Sequence, residues 1–496
     1  MHKGRPPIPS RERALVGLIL LNVLWLAFAM GGVKVWGEMT AAALSVATLF
    51  LLPKWENGEI HGMSSPVVQL LKLPLFWIGL GLYVFFFVQT WNLSWEWQQI
   101  GGRARLVSVQ PVYDWLPSSI QSPLDEANPL RSMTFYLIPW ITSCAAWAGL
   151  NTRRSVQLLL HGLAWIGVLF ATLALHQHFN DVRIILGMFP ELPTRKNTDI
   201  PFWGTLHNCN HAAYYLITIT GVCLGLFLHG WHRDLKQFKR SGGAWLLYLG
   251  LALLTTFSVL MAQARGAIIF ILIFWGLFIL ICTIFFIKRF GWVGLGLPGL
   301  FGLIALGIAA TFIVNPDVFE NQKEDWIRTF TLVENPELEA RYYMTQVASD
   351  MIEDRPWLGH GAGSWRYLHL PYLQNYPEFK TDRVRWEKNA ATGKYKRRNV
   401  TIWFKSAHVD ILEYIVEWGI FGCLFPVLAA LWLFYKFMRS YRGWDPGLFT
   451  ILAGVVVVFF GTIVEFHFRI PLILLVWCLV LTLTVKLAQL NAQAST

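Results

Sequence analysis

Apolar blocks of about 20 residues recur through most of this 496-residue chain, and no other feature limits its fold so tightly. A block of that size crosses a hydrocarbon layer of ~30 Å as a single helix. Twelve such windows can be read, at 14–30, 39–53, 73–91, 132–150, 156–177, 206–229, 244–262, 267–287, 293–314, 407–434, 447–464 and 470–489. The second is the shortest. The pattern predicts an all-α polytopic membrane protein with about 12 transmembrane helices. Helices 1–9 occupy residues 1–314, a long loop with surface helices occupies 315–406, and helices 10–12 occupy 407–496.

Composition removes the alternatives. Only 14% of residues are charged, against about 25% in soluble domains. The apolar share of 55% is too high for a chain that stays unfolded. The six cysteines show no spacing of a zinc site or a disulfide framework.

The net charge of +11 has to be sorted by side before it implies a partner. With the N-terminus inside, the inner segments hold 18 of the 41 Lys and Arg residues and the short outer loops hold 9. The other 14 lie in the long loop 315–406, which is too long for the positive-inside rule to apply. Both termini are therefore expected in the cytoplasm, and the basic excess does not point to nucleic acid. The substantial polar segments, 92–131, 178–205 and 315–406, all fall outside. The sequence holds no phosphate-binding glycine run of a nucleotide enzyme and no inverted repeat of span lengths. A small-anion transporter, the reading from a different class, would need ionisable residues in mid-span, and the spans are nearly free of them.

Several outer segments carry polar chemistry. Asn335-Pro336 reads as a helix start and Arg355-Pro356 as its stop. The spacing of Leu338, Tyr342, Met351 and Ile352 predicts a surface helix over 336–354, with Arg341 one turn inside. The glycine-rich turn Trp357–Trp365 that follows reads as an anion cradle or, better, as a tight connection needing positive φ. Charge is segregated along the long loop, with 4 basic and 10 acidic residues in 315–365 but 10 basic and 3 acidic in 366–405. The basic half suits anionic lipid or a phosphorylated acceptor, or is simply solvated.

Arg265 stands in a short outer link, Gln263-Ala-Arg265-Gly266, where it either snorkels to the interface or meets an anion such as a diphosphate. His207 and His211 are spaced i, i+4, as a zinc pair would be, but no nearby carboxylate completes a set. Asn208 and Asn210 between them suit hydroxyl recognition or helix capping. At the tenth span, a helix running through the motif sets Asp410, Glu413 and Glu417 on one face and His408 on the opposite face. A helix starting at Asp410 instead makes Asp410 and Glu413 a capping box with His408 just outside. In both arrangements a histidine stands at the outer boundary, where it is either structural or, opposite two arginines, a general base.

Together these motifs resemble the bacterial O-antigen ligase and O-antigen polymerase superfamily. The resemblance rests on Ser406-Ala-His408-Val-Asp410 continuing through Glu413, Glu417, Gly419 and Gly422, and on Arg341 followed by Asp354-Arg-Pro-Trp-Leu-Gly-His-Gly-Ala-Gly-Ser364. Gln263-Ala-Arg265-Gly266, Asn208-Cys-Asn210-His-Ala-Ala and Glu465-Phe-His-Phe-Arg-Ile-Pro471 add to it, and it covers about residues 200–475. Two positions depart from the usual pattern: Val409 stands where asparagine is common, and Glu465 where aspartate is.

The resemblance implies a membrane fold of the C-type glycosyltransferases with one long periplasmic loop, in the bacterial inner membrane with its active site facing the periplasm. It also implies a metal-independent, inverting transfer without a cofactor. The donor would be a glycan on undecaprenyl diphosphate. The acceptor would be lipid A-core in a ligase, a second lipid-linked repeat in a polymerase, or a protein in an O-oligosaccharyltransferase. Arg265 and Arg341 would bind the diphosphate and His408 would take the acceptor proton. Asn208, Asn210, His211, Arg366, Asp410 and Glu413 are the candidate substrate-binding residues around these three. The absence of any Asp-x-Asp pair fits a diphosphate site built from arginines.

Overall fold

The computed structural model describes residues 7–52, 66–123, 125–180, 182, 202–237, 243–291, 296, 299, 302, 336–379, 382–388, 395–401, 404–441 and 445–493. Its helices are α1 (Ser10–Phe28), α2 (Val35–Phe50), α3 (Pro66–Leu71), α4 (Pro74–Trp91), α5 (Pro129–Gly149), α6 (Arg153–Phe179) and α7 (Cys209–Gln237). They continue as α8 (Leu246–Met261), α9 (Arg265–Phe290), α10 (Pro336–Asp354), α11 (Trp365–Leu373), α12 (Asp410–Ser440), α13 (Pro446–Gly461) and α14 (Pro471–Gln493). The chain is a mostly helical, polytopic membrane protein. Among the described residues, six helices (α4, α6, α7, α9, α12 and α14) are long and apolar enough to cross a membrane. Three more apolar helices, α2, α8 and α13, have 16 residues each, which is about 24 Å of helix. The ninth window, 293–314, lies almost wholly outside the described residues.

The chain divides into two compact units, one of Met1–Tyr83, Met133–Thr311 and Phe425–Thr496, the other of Val84–Ser132 and Phe312–Leu424. In the first, α7 is the buried centre. A Cβ on Gly221 would meet the Gly454 Cα of α13 at 3.2 Å, and one on Gly225 would meet the Gly447 carbonyl oxygen at 2.9 Å. Lipid gives no hydrophobic drive for helix association, so small residues that let backbones touch supply the packing instead. One end of this unit is tied by polar contacts. Glu12 accepts hydrogen bonds from the Thr152 amide (3.2 Å) and Thr152 hydroxyl (2.9 Å) and from Ser155. Arg153 donates to the Leu490 and Asn491 carbonyls at 3.0 Å.

The second unit corrects the all-α expectation, because it contains strands. β1 (Leu93–Ile100) and β2 (Arg103–Ser108) form an antiparallel hairpin, and β3 (Ser119–Ile120) pairs parallel to β1. β4 (Asp382–Lys388) and β5 (Tyr395–Thr401) form a second hairpin within the basic half of the long loop. Gly101 and Gly102, both at positive φ, make the two-residue turn of the first hairpin, the geometry that matches strand twist. A search for helix-length apolar windows cannot see elements this short.

The surface helix expected over 336–354 is α10, Pro336–Asp354. Its buried stripe, however, is Ala340, Met344, Val347, Ala348 and Met351, packed with Trp365, Leu368 and Phe404 in the core of this unit. Tyr342, read from sequence as part of the stripe, is 60% exposed. At 100° per residue Tyr342 points about 120–180° away from the 340, 344, 347, 348 and 351 positions, so it faces outward, whereas its neighbour Tyr343 packs against the core.

Candidate active site

In the first unit, three polar segments converge on the start of α7. Asn208 caps the helix by accepting the Asn210 amide at 2.8 Å. The Asn210 side chain donates to Glu465 at 2.7 Å, and the second Glu465 oxygen accepts the Phe466 amide at 3.3 Å. Glu465 is buried, so a donor to its carboxylate matters more than it would in water. His211, also buried, sits edge-on to Phe466 with centroids 4.7 Å apart. His467 stacks on Tyr214 at 4.1 Å, and its Nε2 lies 3.1 Å from the Val458 carbonyl. Burial, with a smaller push from His211, lowers the His467 pKa to about 3. The ring is therefore neutral, with Nε2–H donating to that carbonyl.

Tyr214 links this cluster to the arginine turn. A Cβ at Gly266, next to Arg265, would meet the Tyr214 hydroxyl at 3.3 Å. The sequence reading set Arg265 in the link between two helices, but it is the first residue of α9 and half-buried. The link is shorter than expected because Gln263 turns the chain with φ +59, a left-handed conformation unusual outside glycine. The reading of His207 and His211 as a pair on one helical face is corrected too. α7 begins only at Cys209, so His207 precedes the helix and is exposed, while His211 packs inward. Among the described residues, no group of three His, Cys, Asp or Glu side chains lies close enough to hold a metal ion.

In the second unit, α12 starts at Asp410, which selects the second of the two readings for this motif. The Glu413 carboxylate has partners beyond a capping box with Asp410. Glu413 reaches further back, accepting the Ser406 hydroxyl at 2.5 Å and the Ala407 amide at 2.9 Å. The His408 amide donates to the Ser406 oxygen at 3.4 Å. This brace holds His408 at φ +58, just outside the helix and half-buried. For an L-residue that conformation costs ~1–2 kcal/mol. Asp410, Glu413 and Glu417 are all buried, as three carboxylates on one helical face should be when that face turns inward.

The glycine-rich turn is a connection rather than an anion cradle. The His360 and Gly361 amides donate to the Val416 and Glu417 carbonyls at 2.8 Å, and Ile420 and Phe421 return hydrogen bonds to the Pro356 and Trp357 carbonyls. The Gly359 amide bonds the Arg355 carbonyl, and that of Ala362 bonds the Gln89 side chain. With those amides committed, the turn has few left to offer an anion. α12 accommodates the pairing by breaking at Gly419, where φ is +63. Two further histidines here, His360 and His369, are buried, and that burial holds both imidazoles below their usual pKa. Each has one ring nitrogen on a backbone carbonyl, Met351 for His360 and Trp365 for His369, so both are structural.

Arg366, a candidate substrate-binding residue, is engaged elsewhere. It pairs with Glu126 and lies over the Tyr367 ring, 5.7 Å from its centroid. Arg341 is half-buried on α10, between the core residue Ala340 and the exposed Tyr342. The candidates thus divide into Asn208, Asn210, His211 and Arg265 in one unit and Arg341, Arg366, His408, Asp410 and Glu413 in the other. His467, Tyr214 and Ser406 were not singled out as functional from sequence. Only the hydroxyl of Ser406, two residues before the histidine, offered a local signal.

Residues 249–427, roughly a third of the chain, match a family model described as O-antigen ligase. The match supports the resemblance to the O-antigen ligase and polymerase superfamily, and the matched segment includes Arg265, Arg341 and His408. No curated protein matches the chain.

Proposed function

We propose that this chain is a periplasmic, inverting, metal-independent glycosyltransferase that moves a glycan from undecaprenyl diphosphate to an acceptor hydroxyl, with lipid A-core as the acceptor. The observation that carries this reading is the family match over 249–427, which takes in both arginines and the histidine. In the proposed reaction the acceptor oxygen attacks the anomeric carbon as the bond from that carbon to the diphosphate oxygen breaks. His408 accepts the hydroxyl proton, and the lipid diphosphate leaves with its charge held by Arg265 and Arg341. Two guanidinium groups suit that task because each meets two phosphate oxygens with a planar fork. The base can be weak because the leaving group is good.

Two features of the chain support these roles. His408 is held by its backbone and by the Glu413 brace in a half-buried position just outside the helix, so the residue is placed before any substrate arrives. Arg265 is the first residue of a helix, and the positive potential of a helix N-terminus favours an anion there.

A second reading, O-antigen polymerase, shares the donor and the residues and differs in acceptor. Basic residues within 366–405 favour a phosphorylated acceptor, hence the ligase. A deletion strain tests both through the electrophoretic pattern of its lipopolysaccharide. Loss of every capped chain is the expected result. Retention of one capped repeat would replace ligase by polymerase, and an unchanged pattern would overturn both.

A further inference from the structure

The segment joining β2 to β3 places its large apolar side chains outward. Trp115 is 74% exposed, Val112 65% and Tyr113 47%, with the Tyr113 and Trp115 rings 6.1 Å apart. Three such residues in a row of four would be costly in water, where contiguous exposed apolar surface is uncommon.

The position of this loop is fixed by one residue. Asn92, fully buried, directly follows the last residue of the apolar span α4. Its side-chain amide donates to the carbonyls of Tyr113 (3.0 Å), Leu116 (3.2 Å) and Pro117 (3.2 Å), and its oxygen accepts the Tyr113 amide at 3.1 Å. The loop therefore wraps around the end of α4 and stays at that level. The same end of α4 exposes Phe87 and Trp91, which stack edge-on at 6.4 Å. An exposed tryptophan closing a membrane span marks the boundary where amphipathic rings settle between headgroups and acyl chains.

We propose that residues 109–116 form a membrane-interface anchor that seats Val112, Tyr113 and Trp115 among the lipids surrounding the end of α4. The occupant of this apolar face is the phospholipid bilayer itself, continuous with the lipid that covers Phe87 and Trp91. The phenol and indole rings keep their polar atoms toward the headgroups, and exposed Asp114 stays on the aqueous side. A platform that stacks sugar rings would also use Tyr113 and Trp115. It would have no use for Val112, and it would not need to be tied to the end of a span.

The experiment uses the full-length protein in vesicles of phosphatidylethanolamine and phosphatidylglycerol. Val112→Cys, Trp115→Cys and, as a control on the β1–β2 hairpin, Arg105→Cys each receive a nitroxide, with the unsubstituted protein giving the background from native cysteines. Collision rates with oxygen and with a water-soluble nickel chelate are then compared. The oxygen-to-nickel ratio at 112 and 115 should be several-fold higher than at 105. Equal ratios at all three sites would overturn the proposal. So would nickel access at 112 and 115 that a soluble oligosaccharide blocks, which would identify a glycan platform. Tyr113→Cys, the third position seated among the lipids, is read in the same way if either of these variants fails to fold. Its ratio should also exceed that at 105, and equality would again overturn the anchor.

Discussion

Gln263 and His408 occupy equivalent places in two turns built alike. Each has left-handed backbone (φ +59 and +58), and each stands two residues before a helix, α9 at Arg265 and α12 at Asp410. They differ in what holds the strain and what it serves. Gln263 closes α8, its amide bonding the Leu260 carbonyl at 3.1 Å, and the end of a helix is where left-handed residues ordinarily occur. His408 follows no helix and is held by Glu413 through Ser406 and Ala407. In the first turn the strained residue is scaffold, and the candidate charge belongs to the next helix. In the second the strained residue is itself the candidate base. Equal backbone strain can therefore shorten a link in one place and aim a reactive group in another.

Glycine at each position separates the two cases, since it adopts positive φ without penalty. The largest effect should come from His408→Gly, which relieves the strain but should lower the single-turnover transfer rate by roughly 10²–10⁴-fold, the range for loss of a general base. Donor binding, measured alongside, should stay nearly unchanged. Severe loss of donor binding would make His408 a diphosphate ligand and send the search for a base to Asp410 and Glu413.

An intermediate effect is expected at Arg265. Arg265→Ala should weaken donor binding by about 10- to 150-fold, corresponding to one charge-assisted contact of about 1.5–3 kcal/mol. Arg265→Lys should recover little of this, because an ammonium lacks the bidentate fork. Titration with the lipid-linked donor measures both, and full recovery by lysine would show that only charge is needed there.

Gln263→Gly should have the smallest effect, raising the unfolding midpoint in detergent by an amount equivalent to at most about 1 kcal/mol. Transfer should be unchanged. A drop in turnover as large as that of His408→Gly would mean that the two turns do not differ in role.

The sequence exposed the parts of this fold that are local. Apolar windows located the described apolar helices because a span must be continuous, and Pro336 and Arg355-Pro356 bounded α10 because proline acts within a turn, while Asn335 lies outside the described residues. The pairings that set the candidate site were hidden because they are distant in sequence. Asn210 meets Glu465, Tyr214 meets His467, and Arg366 meets Glu126, each across more of the chain than any periodicity spans. The left-handed residues were hidden for another reason, since neither glutamine nor histidine announces positive φ as glycine does. The capping-box reading of Asp410 and Glu413 is a rule of one turn, and it gave no sign that the Glu413 carboxylate reaches Ser406 and Ala407.

The close approach of Gly359 and Gly419 also has a consequence for how the sequence can change over time. A Cβ at 359 would meet the Gly419 nitrogen at 2.5 Å, and one at 419 would meet the Gly359 nitrogen at 2.6 Å. The obstacle to a side chain at either position is main chain alone, that of Gly419 and Glu417 for 359 and that of Trp357 and Gly359 for 419, which no substitution can trim. Most tight contacts can drift by exchanging a large residue for a small one on one side and the reverse on the other. This pair has no such exchange, so neither position can vary by compensation from the other. The main-chain hydrogen bonds on both sides of the crossing ask only that 360, 361, 420 and 421 not be proline, so the joint is inherited chiefly through its two glycines, although they lie far apart in the gene.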